Sequence, residues 1–159
     1  MLSLTPILAF LVALQPQSAP SPLERFFAGR TEGSGSVRIM LSGTSAVRTQ
    51  GRGRILPDGS LTLDHVVHQD GEPERRRTWH MRRSGPGRYT GTISDARGPV
   101  TGEVSGNRLH VTYRTRDGYA VDQWITFNAD GRTASNQMTF RRMGIRVATL
   151  QETIRRVGD

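Results

Sequence analysis

Polar and apolar residues alternate one for one over most of this chain. In LTLDHVV (61–67), Leu61, Leu63, His65 and Val67 share one face of an extended segment. In RLHVTYR (108–114), Leu109, Val111 and Tyr113 oppose His110, Thr112 and Arg114. In YAVDQWITF (119–127), Tyr119, Val121, Ile125 and Phe127 oppose Asp122, Trp124 and Thr126. A period of two marks half-buried strands, because successive side chains point to opposite sides of a sheet. Turn signals separate the segments at short intervals: SGT near Gly43, PDGS (57–60), QDGE (69–72), SGPGR (84–88), SGNR (105–108), RDGY (116–119), NADGR (128–132) and RRMG (141–144). Asp-Gly and Gly-Asn pairs accept the positive φ of tight hairpins. PLERFFAG (22–29) reads as one short helical turn stopped by Gly29, and no segment of useful length between the strands that follow has helical period. The glycines of GRTEGSGSV (29–37) alternate along a strand, which permits close packing there. The pattern predicts an all-β chain of about ten strands in a meander. Closing such a sheet into a single antiparallel barrel, lipocalin- or calycin-like, hides its edges.

The stretch GEPERRRTWHMRRSGPGRY (71–89) holds six arginines around one Trp-His pair. On an extended segment Arg75, Arg77, Trp79, Met81 and Arg83 lie on one face, and Arg76, Thr78, His80 and Arg82 lie on the other. A nucleic-acid stripe needs its cations on one side with aromatics between them as stacking platforms. The split argues for a hairpin with a solvated outer face and one or two arginines turned inward, and no nucleic-acid partner is expected. An inward arginine needs a counter-charge. Asp64, Glu103 and Asp122 are the protein candidates for Arg77, and a ligand anion is the alternative. The formal net charge of +8 rests on 22 basic residues, all of them arginine. Such a bias is most simply compositional.

The 159 residues suffice for one domain. Residues 7–14, ILAFLVAL, followed by QPQSAPSP, fit the apolar core and small-residue tail of a secretory signal peptide. The expected division is a signal over 1–20 and a barrel domain over 23–157, with export to the periplasm or beyond. Cysteine is absent, which excludes disulfides, a thiol nucleophile and the lipid-accepting cysteine of a lipoprotein signal.

Catalytic signals are weak. His65 and His68 stand three apart, on opposite faces of a strand, so they cannot share a metal without a bulge. His65, beside Leu63 and Val67, is the single candidate for an axial haem ligand, and a structural histidine is the favoured reading. No Ser-His-Asp order, carboxylate pair or phosphate-binding glycine loop stands out. An enzyme is not the favoured class, and no cofactor is expected.

LERFFAGRTEGSGSV, DGSLTLDHVVHQDGE, RRTWHM, GPGRYTGTISDARGPVTGEVSGNRLHVTYR, VDQWITF and NQMTFRRMGIRVATLQETIRR occur in an order and spacing that resembles the domain of unknown function family DUF3833. These are small envelope proteins of Gram-negative bacteria. The most specific pieces are Arg77-x-Trp79, Asp122-x-Trp124 and the Gly-Ile-Arg ending at Arg146. The resemblance implies a lipocalin-like barrel and, through genes often found near those for fatty-acid modification, an enzyme acting on lipid intermediates as one alternative. It differs at Thr149, where the family often has Glu, and in lacking the lipobox cysteine. The expected function is binding of an amphipathic, fatty-acid-like molecule in the envelope, by a monomer able to associate peripherally with a membrane. Arg77 is the candidate for the anionic head and Trp79 for the apolar body, with Tyr113, Asp122, Trp124 and Arg146 as further candidates. A filled barrel serving a structural or partner-binding role, and an accessory enzyme of fatty-acid modification, are the alternatives.

Overall fold

The computed structural model describes residues 19–158. The apolar run at 7–14 and the expected signal over 1–20 lie outside the described residues, apart from 19 and 20. Helix α1 (Pro22–Phe27) leads into ten strands: β1 (Gly29–Ile39), β2 (Gly43–Ile55), β3 (Leu61–Gln69), β4 (Arg75–Gly85), β5 (Arg88–Ile93), β6 (Ala96–Ser105), β7 (Arg108–Thr115), β8 (Ala120–Phe127), β9 (Thr133–Arg142) and β10 (Ile145–Gly158). Each strand pairs with the next, and β1 pairs antiparallel with β10, so the sheet closes on itself. Among the described residues, closure leaves no edge strand.

The alternation read from the sequence is the inside-outside alternation of the barrel. Leu61, Leu63 and Val67 of β3, Leu109, Val111 and Tyr113 of β7, and Val121, Ile125 and Phe127 of β8 are all buried. One turn escaped the sequence reading: β5 and β6 are joined through Ser94 and Asp95, a hairpin without glycine in its loop.

The two ends of the barrel differ. The loops at 56–60, 86–87, 106–107 and 128–132 surround an end plugged by α1. Phe26 packs on Phe127 with ring centroids 5.3 Å apart, and Phe27 packs on both rings. The helix is short because Pro22 starts it and extended backbone at Ala28 stops it one residue before Gly29. The Ser21 backbone N–H donates to Glu24 Oε2 at 2.6 Å, closing its first turn. Arg83, the last inward residue of β4, donates to both Glu24 oxygens at 2.9 Å and to the Ala19 carbonyl at 2.7 Å. The Tyr89 hydroxyl adds a bond to Glu24 Oε1 at 3.1 Å. Burial pushes the Glu24 carboxyl up, but the Arg83 and Ser21 hydrogen bonds outweigh it and hold the group down at about 2. Gly53 lets the helix dock. A Cβ there would overlap the Phe27 carbonyl oxygen.

The loops at 40–42, 70–74, 94–95, 116–119 and 143–144 ring the opposite end, which has no such plug among the described residues.

Candidate functional site

The open end of the barrel is an amphipathic mouth of about 470 Å³. Its apolar wall comes from β1, β2, β3, β9 and β10: Val37, Val47, Val67, Met138, Phe140 and Leu150. These strands meet because β1 closes on β10, so residues far apart in sequence become one surface. Facing it is a charged wall of Arg75, Arg77, Asp95, Arg116 and Asp117, three guanidinium groups against two carboxylates.

Arg77 is the least exposed of the arginines that form ion pairs, with 14% of its side chain accessible. Its Nη1 stands 3.6 Å from Asp95 Oδ2 and donates to the Tyr113 hydroxyl at 3.4 Å. Both contacts are long for charge-assisted hydrogen bonds, which favour about 2.7–2.9 Å. Arg77 Nε and Asp95 Oδ1 are buried with no hydrogen-bond partner among the described residues. Burial raises the Tyr113 hydroxyl above its ordinary range, which keeps it a neutral donor and acceptor beside the guanidinium.

Two residues along β4, Trp79 leaves the mouth and lines a second, smaller cavity of about 60 Å³ deeper in the barrel. Trp79 meets Tyr113 edge to face, with centroids 5.7 Å apart, and the Arg77 guanidinium lies 6.0 Å from the Trp79 ring. The deep cavity is largely filled from the far side by Leu61, Leu63, Leu109 and Ile125. A polar chain crosses its wall. Gln123 donates to Asn136 at 2.9 Å, Asn136 donates to Glu152 at 3.0 Å, and the Thr49 hydroxyl donates to the other Glu152 oxygen. Gly33 makes room for it, since a Cβ there would overlap Glu152 and Thr49. His65 faces the same cavity, directly across the β3–β4 ladder from Arg77. Burial, reinforced by the Arg77 charge, lowers the His65 imidazole to about 3, so it is neutral at physiological pH. His68 points outward toward Glu74 at 3.5 Å, which separates the two histidines as their spacing predicts.

Of the six candidate ligand residues, the barrel brings together Arg77, Trp79 and Tyr113. The other three stand elsewhere. Asp122 and Trp124 are on the outer surface: Asp122 accepts from His110 at 2.5 Å and lies 3.9 Å from Arg141. Trp124 stacks on His110 with centroids 4.0 Å apart, under the Arg108 guanidinium at 4.3 Å. Arg146 is exposed near the rim, outside the mouth. The three acids expected to pair with Arg77 are also outward. Asp64 binds Thr78 and Arg54, Glu103 lies near Arg88, and Asp122 is held as described. The strand period excludes them all, and the counter-ion is Asp95, in the turn the sequence reading missed. Ser-Asp between extended runs is a turn signal, and could have revealed it.

The structure is similar to the S-type phycobiliprotein lyase CPES from Guillardia theta, with a TM-score of 0.65 and 9% identity over 86% of this chain and 93% of that one. It is also similar to Rv2717c from M. tuberculosis, with a TM-score of 0.64 and 19% identity over 86% of this chain and 94% of that one. At such identities the likeness is one of fold alone, a lipocalin-like barrel. No curated protein matches the sequence. The family model for proteins of unknown function DUF3833 matches residues 13–156, nearly the whole chain, and the protein belongs to that family.

Proposed function

We propose that this barrel binds an amphipathic anion of fatty-acid type in its open mouth, as an exported protein of the bacterial envelope. One observation carries the reading: an apolar wall faces a cationic one, and the half-buried Arg77 between them has a buried donor, Nε, with no partner among the described residues. A buried, half-paired guanidinium is costly, and a ligand carboxylate would offset that cost with a bidentate contact. The mouth volume of about 470 Å³ lies within the range of pockets that hold small organic ligands. The deep cavity, at about 60 Å³, is too small for an acyl chain. The chain of the ligand therefore lies along Val37, Val47, Phe140 and Leu150, with its head toward Arg77 and Arg75.

The test is displacement of a fluorescent fatty acid from the purified full chain and from Arg77→Met. Methionine keeps the length and suits the apolar neighbours. The substitution is expected to weaken binding about ten- to a hundredfold, the worth of a charge-assisted hydrogen bond in a desolvated site. Unchanged affinity in a folded Arg77→Met protein would sink the assignment. Export rests on residues 7–14 and is checked separately by the intact mass of periplasmic protein, which should lack roughly 18–21 residues, the usual length of such a signal. Full-length protein confined to the cytosol would refute it.

A further inference from the structure

Two neighbouring hairpin tips on the rim of the mouth carry large apolar side chains into solvent. Leu41 is 100% exposed and Met143 is 95% exposed, flanked by Met40 and Ile145, each more than half exposed. The tips are adjacent because β1 pairs with β10, Ile39 opposite Ala148, and the Met40 N–H donates to the Val147 carbonyl at 2.9 Å. Leu41 and Met143 are also the two non-glycine residues with positive φ among the described residues, at 67° and 50°. That left-handed conformation suits glycine or asparagine, and neither turn needs an apolar side chain to form. An apolar residue that is strained, exposed and paired with another on the adjacent hairpin calls for a contact outside the chain.

The surface just below these tips supplies the complementary charge. Arg38 and Arg146 line a shallow outer groove of about 600 Å³ together with Met40, Thr44, Thr149 and Gln151, and no carboxylate borders it. Neither arginine makes an ion pair among the described residues, whereas on the β9–β10 hairpin Arg141 lies beside the Asp122 carboxylate, and Arg142 donates to the Asp117 backbone carbonyl and lies over the Tyr119 ring. Apolar tips ahead of free guanidinium groups match the layering of a lipid surface, hydrocarbon beneath anionic headgroups.

We propose that the rim formed by the β1–β2 and β9–β10 hairpins docks on an anionic lipid bilayer. Leu41 and Met143 enter the acyl boundary, Met40 and Ile145 follow them, and Arg38 and Arg146 contact lipid phosphates. Docked in this way, the barrel holds its mouth against the bilayer, close to a source of acyl ligand. The inference stands on the tips and their arginines and does not require the mouth to bind such a ligand.

Because the chain has no cysteine, Leu41→Cys, Met143→Cys and, as a control on the α1-plugged end, Ala129→Cys each give one labelling site. A nitrobenzoxadiazole label on each full-length variant is titrated with vesicles of phosphatidylcholine, alone or mixed with phosphatidylglycerol. The labels at 41 and 143 are expected to shift to the blue with the mixed vesicles, the label at 129 to stay unchanged, and added salt to weaken the response. In the chain labelled at 143, Leu41→Asn should move the midpoint to several-fold more lipid without loss of fold, since asparagine tolerates the left-handed turn. Arg38→Ser and Arg146→Ser should each move it about fivefold. The proposal is overturned by an absent shift at both tips, by equal shifts on neutral vesicles, or by a lipid-independent shift that grows with protein concentration. The last outcome would mark the tips as a self-association surface. A null result here leaves the fatty-acid displacement assay, done in solution without vesicles, free to succeed or fail by itself.

Discussion

Arg77 and Asp95 meet 3.6 Å apart inside the barrel mouth, and each keeps one buried polar atom without a hydrogen-bond partner among the described residues. The pair is asymmetric. Asp95 has 45% of its side chain in water, while Arg77 has 14%. Removing one partner therefore differs from removing the other, because an exposed carboxylate can be hydrated and a buried guanidinium cannot.

Asp95→Asn is expected to cost about 1–2 kcal/mol of stability by leaving Arg77 short of its counter-charge, and to raise affinity for an anionic ligand. Arg77→Met should cost less stability and lower affinity. Urea unfolding and fatty-acid displacement on the two single variants and the double variant read this directly. Tighter binding in Arg77→Met than in the parent would contradict it.

His65 makes stability fall on acidification. Its folded value is lowered from 6.5 to about 3, so the unfolded chain binds a proton across that interval while the folded chain resists. Its contribution is whole above pH 6.5 and is lost progressively toward pH 3, by at most a few kcal/mol. In His65→Leu, urea midpoints should be flat between about pH 6.5 and about pH 5, above the range where carboxylates titrate. A parent protein equally stable across that range would rule the effect out.

Glu24 acts lower on the scale. Its folded value is depressed from 4.5 to about 2, so the stability it adds is present above pH 4.5 and disappears as pH falls through about 2. Arg83, one-third exposed, is screened on its outer side, which limits the gain to roughly 2 kcal/mol. Arg83→Met should cost about that amount at neutral pH, remove the acid limb below pH 4.5, and loosen α1, seen as dye binding to Phe26 and Phe27. An Arg83→Met protein with the parent's acid profile would show that the helix is held by packing alone.

Gly53→Ala should be among the most damaging single-methyl changes in the chain. Its Cβ would collide with the Phe27 carbonyl, and backbone on both sides cannot rotate away. A loss of about 2 kcal/mol or more is expected, the upper range for overpacking, with hydrogen exchange accelerating first in α1. Thermal melting within a degree or two of the parent would be inconsistent with a rigidly docked helix.

Binding to DNA or RNA should be weak, non-specific and abolished at physiological salt. The arginines of β4 are dispersed: Arg75 and Arg77 turn into the mouth, Arg83 turns to Glu24, and Arg76 is held by Glu74 at 2.7 Å. Counterion release is then the only driving force. Sequence-selective binding that survives such salt, measured by filter retention, would refute this.

The strand period is legible in the sequence, and it reaches further than the choice of candidate residues. The same alternation that buries Val121 and Ile125 puts Asp122 and Trp124 outside, so their place among ligand candidates followed from their distinctive motif and not from their face. That Arg77 and Trp79 share the inward face is visible in the single strand β4, whereas Tyr113 of β7 meets them only through the fold. The mouth is not visible in any one strand. Its apolar wall joins Val37 to Leu150 across the closing β1–β10 seam, and no local pattern encodes that contact.

The count of about ten strands, the face each strand residue takes and the short helix ahead of β1 are all legible in the amino-acid pattern. These depend on interactions between near neighbours: backbone sterics at glycine, and the two-residue period of a pleated strand. The strand period already turns Asp64, Glu103 and Asp122 outward, but the meeting of Asp95 with Arg77 arises only in the folded barrel. Tertiary structure also decided that one half of the barrel is filled while the other stays open, and that Leu41 and Met143 stand side by side. Each depends on closure and register, which bring together side chains from distant strands, and on how their volumes meet across the interior.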